Sequence, residues 1–136
     1  MGRIIALDYG KRRTGVAVTD PLQMIAQPLT TIDTNKIIAY LKDYFAREIV
    51  DEIVLGEPMN MDGSETDATP LVAEFEKKLN ESFPQYKIIK IDERLTSRMA
   101  KQAIIDAGYK KKDRRNKKLV DTVAAALILQ SYLAIK

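Results

Sequence analysis

The first part of the chain alternates short apolar runs with polar turns, and then changes to a helical spacing. RIIALD (residues 3–8), GVAVTD (15–20) and PLTTID (28–33) predict three strands, the first two joined as a hairpin through GKRRTG. In NKIIAYLKDYFARE (35–48), apolar residues recur every three or four positions. We expect an amphipathic helix here, capped by Asp33 or Thr34.

The middle of the chain continues with strands and helices in alternation. EIVLG (52–56) is a short apolar run that ends in glycine, as is typical of an interior parallel strand, and KIIKID (87–92) predicts another strand. Between them, Thr69 and Pro70 predict a cap and a helix start, and Pro84 ends that helix.

Two further helices are expected in the last part of the chain. SRMAKQAIIDAG (97–108) follows Thr96 and Ser97, either of which can cap it, and Gly108 is a natural terminator. LVDTVAAALILQSYLAIK (119–136) predicts the longest helix. A three-strand meander followed by strand and helix units implies an α/β fold, with a mixed five-stranded sheet covered by helices on both faces.

Composition narrows the classes of protein and of chemistry. A chain of 136 residues with 46% hydrophobic and 30% charged residues fits one domain spanning residues 1–136. No signal peptide or membrane-spanning run is evident in the sequence, so we expect a cytoplasmic protein that does not enter a membrane. The chain has no cysteine and no histidine, which excludes disulfides, thiolate nucleophiles and histidine triads.

Charge is distributed unevenly along the chain. The net charge is only +3, but KKKDRRNKK (110–118) contains seven bases and one acid, which leaves the other residues at −3. A basic patch on a mildly acidic body is the expected footprint of a polyanionic partner. A basic run that stands alone is more often a solvated surface.

Three carboxylates occupy positions where carboxylates are costly. Asp8 and Glu93 follow apolar strands, and the carboxyl ends of parallel strands are where sites form in such sheets. Asp121 precedes Ala124, Ala125 and Ile128 on one helix face, which is the face expected to meet the core. A buried carboxylate needs a cation or hydrogen-bond donors.

These acids predict a site for Mg²⁺ or Mn²⁺, which take oxygen ligands and also bind phosphate oxygens. Two such ions could activate water and stabilise the leaving oxygen in phosphodiester cleavage. Two of the acids also have a plainer interpretation, because Asp8 could be a turn residue and Glu93 could pair with Arg94 at the surface. Asp121 is the hardest of the three to explain structurally.

Four blocks in the sequence resemble the bacterial YqgF family, also called RuvX, of RNase H-like nucleases. The blocks are LDYGKRRTGVAVTD, GEPMNMDGS, DERLTSRMA and VDTVAAALILQSYL, and together they span nearly the whole chain. The resemblance implies an RNase H-like fold, a divalent-metal site and hydrolysis of nucleic acid. It links the chain both to maturation of the 5′ end of precursor 16S rRNA, our preferred function, and to resolution of four-way DNA junctions.

By the same resemblance, Asp8, Glu93 and Asp121 would be the acidic triad that holds the metal ions. The residues expected to contact nucleic acid are basic: Lys11, Arg12, Arg13, Arg94, Lys110, Lys111, Lys112, Arg114, Arg115, Lys117 and Lys118. One block departs from the pattern GLPLNMDGS, because Glu57 and Met59 replace apolar residues. Glu57 could be a fourth acid near the metal, but we expect it to point outward and pair with a base.

Two other functional classes compete with a nuclease. The hairpin from LDYGKRRTG to GVAVTD also resembles the phosphate hairpin of actin-like sugar kinases and ATPases, but those proteins use two related domains and this chain has room for one. A module that binds RNA without catalysis would use the basic residues and need no acidic triad.

A junction resolvase should be a homodimer, since two strands are cut symmetrically.

Overall fold

The computed structural model describes residues 2–60, 62–93, 96–106 and 116–136. The strands are β1 (Arg3–Tyr9), β2 (Arg13–Thr19), β3 (Ala26–Asp33), β4 (Val50–Glu57) and β5 (Lys87–Asp92). The helices are a short 3₁₀ turn (Thr34–Lys36), α1 (Ile37–Arg47), α2 (Thr69–Ser82), α3 (Thr96–Asp106) and α4 (Lys117–Ile135). Each element predicted from the sequence is confirmed, whereas the predicted stop at Gly108 lies outside the described residues.

The five strands form one mixed sheet in the order β3-β2-β1-β4-β5. β1, β2 and β3 pair in antiparallel fashion, and β4 runs parallel to both β1 and β5. This arrangement confirms the predicted meander followed by two parallel strands. The ends of β1, β4 and β5 therefore meet at one edge of the sheet, where Asp8 and Glu93 lie.

Apolar side chains leave the sheet on both faces, so that the chain has two core layers. One face packs on α1 and α2 through residues such as Leu7, Leu41 and Phe75. The other packs on α4, and small residues line much of it, including Ala6, Ala17 and Ala125. Small residues let the helix approach the sheet closely, and Asp8 shares this face with Ala6 because side chains alternate along a strand.

The predicted helix caps are wrong in two places, because tertiary partners take the hydroxyl groups. Thr34 Oγ1 donates to the carbonyl of Gly10 at 2.6 Å and lies 2.9 Å from Thr14 Oγ1, so it secures the β1–β2 turn. Thr69 Oγ1 donates to the carbonyl of Pro58 at 2.7 Å. Neither side chain caps its helix. In α4, by contrast, Asn116 Oδ1 accepts from the amides of Lys118 and Leu119.

Helix α4 is long and apolar enough, by length and composition, to cross a membrane. That criterion is weak evidence, because a helix in the core of a globular domain meets it too. Here α4 packs across the strands, and Ala125, Ile128 and Leu129 are buried against them. The apolar face that α4 turns to the strands is thus explained by its place in the fold.

Candidate active site

Asp8 lies between two glycines on the face of the sheet that meets α4. It is opposite Gly15 of β2, and the pairing of Leu7 with Leu55 places Gly56 next to it on β4. A Cβ on Gly15 would overlap the backbone carbonyl of Asp121, so α4 comes closest to the sheet there. A Cβ on Gly56 would lie 2.8 Å from Glu93 Oε2. The absence of side chains on either side of Asp8 therefore leaves room for the two other acids.

Glu93 reaches Asp8 from the end of β5. Its amide donates to the carbonyl of Glu57 at 3.0 Å, which extends the β4–β5 pairing by one residue. From this position the side chain turns over Gly56 and forms a hydrogen bond with Asp8. Two partly buried carboxyl groups, from β1 and from the end of β5, therefore meet across Gly56 of the intervening strand β4.

Both carboxyl groups have raised pKa values. Burial raises the pKa of Asp8 to about 6; the hydrogen bond from Glu93 opposes this shift, and the charge of Asp121 adds to it. Burial, followed by the charge of Asp8 and the shared hydrogen bond, raises the pKa of Glu93 to about 9. Near neutral pH the pair therefore holds a proton that two isolated carboxyl groups would have lost.

Asp121 lies close to this pair but bonds elsewhere. Its neighbours Ala124, Ala125 and Ile128 are buried, which confirms the predicted core-facing stripe. Its carboxylate, however, accepts a hydrogen bond from Arg13 Nε at 3.0 Å. Over the described ranges, no group of three acidic side chains is arranged to hold a metal ion. The structure thus joins Asp8 to Glu93 and leaves Asp121 bonded to a base.

The basic residues predicted to contact nucleic acid differ in how exposed they are, and several lie outside the described residues. Lys11 and Arg12 are exposed on the β1–β2 turn, and Lys117 and Lys118 are exposed at the start of α4. Arg13 is only partly exposed, since it bonds Asp121. The others, Arg94, Lys110, Lys111, Lys112, Arg114 and Arg115, lie outside the described residues.

Glu57 points away from the acidic pair, as predicted. Its carboxylate lies 3.2 Å from Lys90 Nζ, which also pairs with Glu76 of α2 at 3.3 Å. Strand alternation explains this, because Gly56 faces α4 and the next residue faces α2. A turn begins at Asp62 in the loop after β4, since its Oδ1 accepts from the amide of Ser64 at 2.9 Å and Gly63 has a φ of 88°.

The two glycines are part of the site that sequence reasoning missed. The pairing of Gly15 with Asp8 follows from the short β1–β2 turn, so a signal for it was present in GKRRTG. Gly56 gave only the signal of a strand end. Its place beside Asp8 depends on the parallel register of β1 and β4, which no local pattern encodes.

The shared proton predicts a pH dependence of stability. With a chelator present, we expect the free energy of unfolding to fall by a few kcal/mol as pH rises. The unfolded chain ionises these groups near their ordinary pKa values of 3.8 and 4.5, whereas the folded chain keeps protons up to about 6 and about 9. The stability gained from the bound protons is fully present below the pKa values of the unfolded chain. It is lost as pH rises through the pKa values of the folded chain.

Urea unfolding measured across this pH range tests the expectation, with Asp8→Asn as the comparison. The variant has no like charge beside Glu93, so its stability should depend less on pH. Equal slopes for the two proteins would show that the pair does not hold the proton.

Comparisons with known proteins give a consistent picture over the full length. The family model described as "RuvX: Holliday junction resolvase" matches residues 2–135. A protein of Flavobacterium psychrophilum is 48% identical over 136 residues, covering 100% of this chain and 99% of its own length. One from Christiangramia forsetii is 50% identical over 133 residues, covering 98% of each chain. Both carry the name "Putative pre-16S rRNA nuclease".

Proposed function

The chain belongs to the RuvX family, and from this premise we propose that it is a nuclease whose Asp8, Glu93 and Asp121 hold divalent metal ions. The observation that carries the proposal is the contact between Asp8 and Glu93 at the strand ends, with Asp121 near enough to raise the pKa of Asp8. Clustered acids of this kind cost stability, which a purely structural role would not explain.

The residues fit a hard divalent cation. Asp8, Glu93 and Asp121 would each offer carboxylate oxygens as ligands, which suits Mg²⁺ or Mn²⁺. Gly15 and Gly56 contribute no side-chain atoms beside Asp8. When bound, such ions activate water and neutralise charge on a phosphodiester. We infer that two ions are used, since a two-ion site acts on both the attacking and the leaving oxygen.

The chain's own residues also supply the means to hold nucleic acid. Lys11 and Arg12 extend from the turn that follows Asp8, so they can contact phosphates beside the acidic pair. Lys117 and Lys118 begin the helix that carries Asp121. We propose that the bases of the preceding run, which lies outside the described residues, bind nucleic acid as well. Contacts of this kind position a strand without reading its sequence.

For the substrate we propose the 5′ end of precursor 16S rRNA, in the cytoplasm. The names of the full-length relatives support this choice. The family description supports a second candidate, a four-way DNA junction, which would be cut by a homodimer.

The test incubates the protein with Mn²⁺ and either 5′-extended 16S rRNA or a four-way DNA junction. We expect shortening of the RNA at its 5′ end and an intact junction. An Asp8→Asn protein purified in the same way reports any contaminating nuclease. Cleavage of the junction alone would replace the ribosomal function with the resolvase function, and a chelator-insensitive reaction would contradict the metal proposal.

Gly56→Ala should separate catalysis from stability. The added methyl group meets Glu93 Oε2 at 2.8 Å and Ile128 Cδ1 at 2.6 Å, and both atoms are ends of side chains that can move. We therefore expect a loss of about 2 kcal/mol or less in unfolding free energy. Cleavage should fall by about 10²-fold or more, because displacement of a reacting group by about 1 Å has such an effect.

Cleavage rate and urea unfolding are measured on the same preparations of Gly56→Ala and of the unmodified protein. A variant that cuts at the unmodified rate would show that the position of Glu93 over Gly56 is unimportant.

A further inference from the structure

The ion pair between Arg13 and Asp121 joins residues 108 positions apart. Arg13 Nε donates to Asp121 Oδ2 at 3.0 Å, and the two side chains are 29% and 25% exposed. Lys11 and Arg12, by contrast, are exposed on the turn. Among the three bases of GKRR, Arg13 is therefore the one directed at a carboxylate of the site.

The fold holds this pair in place from both sides. Arg13 precedes Gly15 by two positions on β2, so its side chain leaves the same face of the sheet. The backbone of Asp121 lies directly over Gly15. The Arg13 guanidinium and the Asp121 carboxylate are therefore brought together on this face by the positions of β2 and α4.

We propose that Arg13 is the internal counter-cation of Asp121, that a divalent ion takes its place, and that the released guanidinium then binds a phosphate of the nucleic acid. This inference rests on the proposed function. It assigns Arg13 two successive partners, where a simple phosphate contact would have one.

Charge and exposure favour such an exchange. Arg13 and a divalent ion are both cations drawn to the one negative charge of Asp121, and they repel each other at short range, so the guanidinium and the ion compete for this carboxylate. The pair is partly exposed, so breaking it does not strand a charge in the core. A planar guanidinium can form two parallel hydrogen bonds with phosphate oxygens, which gives the released side chain a partner.

Calorimetric titration of the full chain with Mg²⁺, in the absence of nucleic acid, tests the competition. Arg13→Gln should bind Mg²⁺ more tightly than the unmodified protein, by roughly fivefold, because the competing charge is removed. Arg13→Lys keeps the charge and should remain closer to the unmodified protein. Arg12→Gln removes an equal charge from the exposed turn and should change the affinity by less than about twofold, because that charge is screened.

The same variants are then tested for binding to a short labelled DNA duplex, which serves only as a polyanion. With chelator, Arg13 is held by Asp121, so Arg13→Gln should weaken binding to the duplex only slightly, through the Asp121 charge that it leaves unpaired. With saturating Mg²⁺, the variant should bind more weakly, and the slope of log affinity against log salt should fall by about one. A penalty of equal size in both conditions would overturn the exchange.

A third measurement uses only the unmodified protein, so it does not depend on whether a variant folds. In ¹⁵N spectra of the unmodified protein, the Arg13 Nε–H signal should shift or broaden as Mg²⁺ saturates the site. An unchanged signal, or equal Mg²⁺ affinities for Arg13→Gln and the unmodified protein, would overturn the inference and leave the nuclease proposal standing. If the unmodified protein does not bind Mg²⁺ or Mn²⁺ at all, the metal-dependent function itself fails.

Discussion

Asp8→Asn should abolish cleavage, with a loss of at least about 10³-fold, while the fold and nucleic-acid binding survive. Asparagine has nearly the shape of aspartate but lacks the charge that a metal ion needs. Asp8 also forms a hydrogen bond with Glu93, so the substitution removes a charge from the place where two carboxyl groups meet. Binding should be unchanged or stronger, because repulsion between Asp8 and phosphate is removed.

Glu57→Gln is the matched control for this variant. Glu57 is a carboxylate beside the same strand ends, but it faces α2 and pairs with Lys90. We expect it to cut within about threefold of the unmodified rate, since an ion pair of this kind is worth about 1 kcal/mol or less. Full activity of Asp8→Asn would reject the acidic site, and equal loss in both variants would show that neither charge acts specifically.

The largest effect on stability should come from Gly15→Ala. A Cβ at this position would overlap the backbone carbonyl of Asp121. Backbone cannot rotate away as a side chain can, so α4 must move from the sheet or the strand must bend. We expect a loss of about 3 kcal/mol or more in the free energy of unfolding, at the upper end of overpacking effects.

Gly56→Ala provides the comparison, because it adds the same methyl group on the opposite side of Asp8. The atoms that it meets belong to side chains, so the cost should be clearly smaller. Urea unfolding of both variants measures the difference. Equal stabilities for the two variants would contradict the close approach of α4 to β2.

Much of the fold could be predicted from the sequence because its elements follow local rules. The strand at 52–56 and the helix from Thr69 are each bounded by glycine or proline, and α4 has a run of apolar residues long enough to identify alone. The expectation that Glu57 points outward and pairs with a base is confirmed by its ion pair with Lys90. The roles of Thr34 and Thr69 could not be predicted, because their hydroxyls bond residues brought near by the fold.

The site divides in the same way. Asp8, Glu93 and Asp121 could be selected as candidates because two follow apolar strands, one lies on an apolar helix face, and all three match the family's motifs. The pairing of Arg13 with Asp121 could not, because it depends on how α4 lies across β2. The glycines could not be predicted either, because they supply no chemical group and matter only by leaving room for Asp121 and Glu93.

The central claim is that Asp8, Glu93 and Asp121 together hold divalent metal. The most direct measurement is an anomalous difference map from crystals of the full chain grown with Mn²⁺. We expect Mn²⁺ bound by Asp8 and Glu93, with the Asp121 carboxylate turned from Arg13 towards the metal. Protein that cuts its substrate in Mn²⁺ but shows no Mn²⁺ at these three residues would contradict the claim.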